Sequence, residues 1–251
     1  MRSAAGKDLI ALVTGGSRGI GRAVSLRLAA EAAGTVIVNY LENDIEAERT
    51  RKLIEERSSS CILAKANLCH AADVDRLFLT IKETVGRLDI FVHCAAVTAF
   101  KPLREIRSNQ WDLTMNVNAR SFLLCVQKCI PLMKDGKIVA ISSLGSSRAI
   151  PNYGALGPTK AALEATVRYL AAELAPTGIQ VNAVSGGFVR TDSIRRVPGA
   201  EMLAEKTAAR TPAGRLGTPD DIAGVVLFLL SPSASWIWGQ TIVADGGLSL
   251  F

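Results

Sequence analysis

The 251-residue chain predicts an α/β fold: a single domain with a doubly wound, seven-stranded parallel sheet flanked by helices. Three observations predict it. Short β-branched runs alternate with longer amphipathic segments over the whole length. A glycine-rich turn, TGGSRGIG, joins the first such run to the first helical pattern. Hydrophobic residues make up 49% of the chain, enough for one sizeable core, and charged residues are 21% and dispersed, which argues against bulk disorder.

The elements follow in order. LIALVTG reads as a buried strand, and GIGRAVSLRLAAEAAG as a helix closed by Gly34. TVIVNY is a second strand, followed by a charged helix from about Asp44 to Ser58. CILAKANL is a third strand, with a helix from about Asp73 to Gly86. LDIFVHCAA is a fourth, followed by one long helix from about Asn109 to Lys134. KIVAISS is a fifth, with a helix from about Pro158 to Leu174. IQVNAVS is a sixth; a helix near Asp220 to Leu230 then precedes a short seventh, QTIVADGG. Strands alternating with helices predict right-handed crossovers and parallel pairing.

Composition narrows the function classes. The N-terminal MRSAAGKDLI lacks an apolar signal core, so residues 1–7 read as a mobile lead-in. The longest strongly apolar run, VVLFLL, is too short to span a bilayer, and the expectation is a soluble cytoplasmic protein. Five cysteines, at 61, 69, 94, 125 and 129, show no CxxC spacing. Cys125 and Cys129 lie one helical turn apart without a second pair to complete a metal site, so they read as reduced structural thiols and no metal is expected. The net charge of +6 is either a solvated basic surface or an attraction for an acidic partner. No aromatic-basic interleaving points to nucleic acid.

TGGSRGIG carries the first chemistry. Glycines between a strand and a helix let the backbone turn tightly and approach a pyrophosphate, which the helix N-terminus favours. The second strand ends in Asn39-Tyr40, where an NAD-selecting chain carries an acid. Asn39 would not repel a 2′-phosphate, and Arg18 in the glycine turn could pair with one, which favours NADPH. Asn67, after the third strand, is placed for the adenine edge or for a plain turn.

Taken together, TGGSRGIG, HCAA, NVNA, ISS, the Tyr153/Lys160 pair, VNAVSGGFVRTD and ADGG resemble the short-chain dehydrogenase/reductase family over nearly the whole chain. The resemblance implies a Rossmann fold and a nicotinamide cofactor. Its contacts would come from Gly15, Ser17, Arg18, Gly19, Ile20 and Gly21 in the turn, from Asn39 and Tyr40, and from Asn67 and Leu68. Cys94, Ala95 and Ala96 would add to them after strand four, with Gly186, Gly187, Val189 and Thr191 after strand six, Thr191 at the carboxamide. It also implies Asn118, Ser143, Tyr153 and Lys160 as the catalytic set, with Lys160 holding the nicotinamide ribose.

Two departures stand out. His93-Cys94-Ala95-Ala96 replaces the family's Asn-Asn-Ala-Gly, so Cys94 allows close backbone approach without the asparagine's hydrogen bonds. The usual tyrosine position, four before the lysine, is Leu156, which cannot donate a proton. Tyr153 stands seven before Lys160. Seven residues of α-helix share a face, but Gly157-Pro158 predicts a helix that begins at Pro158, with Tyr153 on the loop before it. This Tyr-x6-Lys pattern resembles the enoyl-acyl-carrier-protein reductases, type III above all. It implies NADPH-dependent reduction of a trans-2-enoyl thioester in fatty acid or polyketide-type synthesis, by a homotetramer.

The segment 191–215 reads as a polar lid. Arg195, Arg196, Lys206 and Arg210 there, with Arg104 and Arg107, would steer an acidic acyl carrier protein, meet coenzyme A phosphates, or only face water. Two alternatives stay open: a carbonyl or 3-oxoacyl thioester reductase, and a catalytically degenerate NADP-binding protein.

Overall fold

β-branched runs too short for helices become strands because both faces of a parallel sheet are covered. The computed structural model describes residues 9–32, 34–191 and 199–250. The lead-in, with Arg195, Arg196 and Pro198, lies outside the described residues. The strands are β1 (Ile10–Thr14), β2 (Thr35–Tyr40), β3 (Ser60–Lys65), β4 (Ile90–His93), β5 (Lys137–Ser143), β6 (Gln180–Gly186) and β7 (Thr241–Ala244). They form one parallel sheet in the order β3-β2-β1-β4-β5-β6-β7. The order reverses between β1 and β4, which opens a crevice at their carboxyl ends.

The helices are α1 (Gly19–Ala32), α2 (Asp44–Glu55), α3 (Ala71–Thr84), α4 (Ser108–Met115), α5 (Ser121–Cys129), α6 (Leu156–Leu174), α7 (Ala200–Arg210) and α8 (Pro219–Leu230). Alternate strand residues feed two cores. Leu12, Ile37, Phe91, Ile138 and Val181 pack with Phe78 of α3, Phe122 of α5 and Leu163 of α6. Val13, Val38, Val92, Ile141 and Val184 pack on the other face with Val24 of α1 and Ile222 of α8. Every β1 residue is buried, as a central parallel strand requires. All five cysteines are free thiols. Among the described residues, no helix is long and apolar enough to cross a membrane.

Two expectations need correction. The single helix over 109–134 is α4, a π-helical turn at Asn116–Arg120, α5, and a 3₁₀ turn at Ile130–Leu132. The π turn widens the helix by one residue at Asn118, whose side chain is drawn away to another loop. The helix expected from Pro158 begins at Leu156. There the Tyr153 carbonyl accepts from the Leu156 and Gly157 amides, at 3.0 and 2.9 Å. Pro158 falls in the first turn, where a missing N–H costs nothing. Within the segment read as a polar lid, residues 200–210 form α7, after Gly199 turns the chain at φ +70°.

Candidate active site

The glycine turn closes on itself so tightly that a Cβ at Gly21 would lie 2.2 Å from the Gly15 carbonyl oxygen. Gly15 sits at φ +60°, and a Cβ there would meet Ala95 Cα at 3.0 Å. The turn therefore lies directly against the chain leaving β4. A Cβ on Gly19 would face the Thr191 methyl at 3.6 Å, so the segment after β6 completes the crevice. This bare-backbone cradle at a helix N-terminus fits a dinucleotide pyrophosphate.

Arg22 fixes the turn from behind. Its Nε donates to Thr50 Oγ1 at 2.8 Å, and its Nη2 donates to the Ser17 carbonyl and the Glu46 carboxylate. The Arg22 contact holds the Glu46 carboxyl below its usual range. Arg18 is exposed in the same turn, and its charge acts on the Glu46 carboxylate. Asn39 is turned inward: its amide donates to the Ala64 and Ala66 carbonyls at 3.1 and 3.2 Å. Its main-chain carbonyl accepts from Gly16 N–H at 3.0 Å, tying the end of β2 to the glycine turn. Tyr40 donates to Asp44 at 2.9 Å. Asn67 makes a turn, accepting from Cys69 N–H at 3.0 Å, with buried Leu68 between them. After β6, the Gly187 N–H donates to the Ala244 carbonyl at 3.1 Å, and Val189 pairs with Gly217.

Thr14, which the motif reading passed over, organises the end of β4. Its Oγ1 accepts from the Cys94 and Ala95 amides at 3.1 and 3.3 Å. Both lone pairs are taken, so its proton goes to His93 Nδ1, 3.0 Å away. The imidazole proton then sits on Nε2, which is buried and, among the described residues, has no acceptor in good hydrogen-bonding geometry. Burial first, then the Lys160 ammonium, lowers the His93 pKa to about 3, against a small opposing pull from the Asn118 main-chain carbonyl.

The sign of that shift gives a test. Below pH 6.5 the unfolded histidine takes up a proton that the folded one refuses until about pH 3. Stability is therefore lost as pH falls through this window, by about 3 kcal/mol at pH 4. Urea unfolding of wild type and His93→Asn should show the wild type losing about that much more between pH 7 and pH 4. Parallel losses in the two proteins would contradict the buried, neutral ring.

The catalytic candidates converge at the ends of β5 and α6. Tyr153 stands on the turn before α6, and its hydroxyl lies 3.1 Å from Ser143 Oγ. Ser143 Oγ also accepts from Gly145 N–H at 3.3 Å. Burial raises the Tyr153 pKa, with the Ser143 contact opposing. Leu156, at the usual tyrosine position, is buried at the first position of α6. Lys160 is also buried, and its Nζ donates to the Ile141 carbonyl at 2.7 Å. Burial lowers its pKa to about 8, while Cys94 and Glu164 pull it upward. The Cys94 thiol is itself pushed up to about 12 by burial.

Asn118 serves the scaffold through its side chain. Its Oδ1 accepts from Val97 N–H at 2.8 Å, and its Nδ2 donates to the Val97 carbonyl at 2.9 Å and to Thr159 Oγ1 at 3.1 Å. It thus clamps the loop leaving β4 onto α6.

A family model described as Enoyl-(Acyl carrier protein) reductase matches residues 15–249. The chain is 42% identical over 244 residues to 1-cyclohexenylcarbonyl-CoA reductase of Streptomyces collinus, covering 96% of this chain and 87% of that protein. It is 33% identical to the 3-oxoacyl-[acyl-carrier-protein] reductase of a Synechocystis strain, covering 96% and 97%. The solved angucycline C-6 ketoreductase LanV with bound NADP superposes with a TM-score of 0.89, at 34% identity and over 97% and 96% of the two chains. The glycine cradle, the Ser143–Tyr153 contact, buried Lys160 and these near-complete matches agree, and the chain belongs to the short-chain dehydrogenase/reductase family of oxidoreductases.

Proposed function

We propose that this protein is an NADPH-dependent reductase of the C=C bond of a trans-2-enoyl thioester, acting in fatty acid or polyketide-type synthesis. The observation that carries the reading is the displaced phenol: Tyr153 meets Ser143 at 3.1 Å, while buried Leu156 occupies the position four before Lys160. The description of the family model supports it. So does the Streptomyces relative, whose named substrate has its double bond conjugated to a thioester carbonyl.

The residues fit NADPH through the Gly15–Gly21 cradle, exposed Arg18 for the 2′-phosphate, and Thr191 at the crevice. Bound NADPH supplies the hydride that the substrate's β-carbon accepts. The chain's own task is the charge that then moves to the thioester oxygen. Tyr153, a phenol whose pKa burial raises further, donates a hydrogen bond to that oxygen where the enolate develops. Ser143 orients the phenol. Lys160 holds the ribose hydroxyls, and its charge makes the phenol a stronger donor. The α-carbon then takes the balancing proton from solvent water as the enolate collapses back to the thioester. In an enoyl substrate the charged oxygen lies three bonds from the hydride-accepting carbon, two further than in a ketone, where it sits on that carbon. A tyrosine set back from the usual position matches the longer reach.

A 3-oxoacyl or other carbonyl substrate is the second reading, favoured by the hydroxyl pair itself, which would also serve a ketone oxygen. Exposed Arg104, Arg107, Lys206 and Arg210 suit an acidic acyl carrier protein, and α5 and α6 suit pairing into a homotetramer in the cytoplasm. The test follows NADPH absorbance with a trans-2-enoyl thioester and a 3-oxoacyl thioester in parallel. Oxidation with the enoyl substrate is expected; oxidation with the 3-oxo substrate alone would overturn the assignment.

A further inference from the structure

A tyrosine outside the helix lacks the support that a helical tyrosine gets from its neighbours one turn away. Something else must hold it, and three features do. Gly145 supplies the bed: a Cβ there would meet Tyr153 Cδ1 at 2.6 Å and Cε1 at 2.7 Å. Ser143 receives the hydroxyl. Phe100 supplies the cover, with its ring centroid 6.1 Å from that of Tyr153 at a 42° tilt, a favourable aromatic arrangement.

Phe100 is itself held on both sides. Asn118 clamps Val97 with two hydrogen bonds, and Lys101 forms an isolated parallel bridge with Tyr153. Leu103 then packs so closely on Gly154 that a Cβ there would meet Leu103 Cβ at 2.6 Å. The loop leaving β4 is thus laid against the residues flanking the phenol, and Phe100 is its aromatic contact with the ring.

We propose that Phe100 is a positioning residue for Tyr153, excluding water from the phenol and fixing its hydroxyl toward Ser143 and the substrate oxygen. The role rests on Tyr153 being the donor proposed above. Phe100 need not touch the reacting atoms; it acts through the tyrosine. Burial raises this phenol's pKa above its ordinary value. Removing the cover admits water and frees the ring to leave the hydroxyl of Ser143.

The experiment compares wild type, Phe100→Ala and Phe100→Leu, each also carrying Tyr153→Phe as a reference. Tyrosinate absorbance at 295 nm is followed to about pH 11, with far-ultraviolet circular dichroism at each point to establish folding. With three tyrosines in the chain, subtracting the Tyr153→Phe reference isolates the titration of Tyr153. In Phe100→Ala it should begin at least about half a pH unit below wild type. The kcat with an enoyl thioester should fall about three- to tenfold with KM for NADPH unchanged. Phe100→Leu, which restores an apolar cover, should recover most of both. An unchanged titration in folded Phe100→Ala overturns the proposal, as does a shift that Phe100→Leu shares in full. A shifted titration without enoyl turnover in any variant supports the cover and overturns the enoyl reading instead. If Phe100→Ala fails to fold, the same comparison is made with Phe100→Ser, and an unshifted titration there overturns the proposal.

Discussion

Replacing Tyr153 by phenylalanine should lower kcat with an enoyl thioester about 10²- to 10³-fold, the size expected when one donor to a developing oxyanion is removed. The ring would keep its bed on Gly145 and its contact with Phe100, since neither involves the hydroxyl. Only the 3.1 Å contact with Ser143 is lost, so folding stability should change by about 1 kcal/mol or less. Affinity for NADPH should stay within about twofold, because the substitution leaves the glycine cradle itself unchanged. Stopped-flow measurement of NADPH oxidation separates these effects. A variant that retains a third of wild-type kcat would remove Tyr153 from the mechanism and return attention to Ser143.

The second large effect belongs to Gly21→Ala. The added methyl would stand 2.2 Å from the Gly15 carbonyl oxygen, 2.8 Å from its carbonyl carbon and 3.0 Å from Gly16 Cα. All three are backbone atoms, so no rotamer change relieves the clash. The turn must open, and the amides aimed at the pyrophosphate move with it. NADPH affinity measured by fluorescence titration should fall about 100-fold, equivalent to about 2.7 kcal/mol. Gly199→Ala is a control: Gly199 has φ +70°, yet nothing lies within 4 Å of a Cβ there. It carries backbone strain without crowding and lies outside the cradle, so its NADPH affinity should stay near wild type. Equal losses in the two variants would mean that the cradle geometry is not what binds the cofactor.

Parts of this site were legible because they depend on local chain chemistry. The strand–glycine–helix order around Gly15–Gly21 admits few backbone paths, and Gly157-Pro158 placed Tyr153 outside the helix. Even there the boundary moved to Leu156, because a proline in a helix's first turn forfeits no bond. Asn39 shows the opposite case. Its lack of charge was readable, but its side chain faces the carbonyls of Ala64 and Ala66 across β3, which only the strand pairing reveals. Asn118 lies in a helical pattern without any sign of the π turn that releases its amide to Val97. Thr14 opens the TGGSRGIG motif without any sign of what its hydroxyl binds, and Phe100 and Gly145 stand outside every motif. Their roles come from contacts with residues 8 to 81 positions away or more than one strand distant.

By itself the sequence determined the alternation of strands and helices, the parallel sheet they build, the glycine turn at its centre and the absence of a tyrosine four before Lys160. These follow from side-chain periodicity and backbone stereochemistry, which act over a few residues. Tertiary structure decided where Tyr153 points, what covers it, which tautomer His93 adopts and how far Lys160 is dried. Those are consequences of burial and of partners supplied by other strands. Hydrogen bonding and desolvation depend on neighbours in space, and no local pattern encodes them.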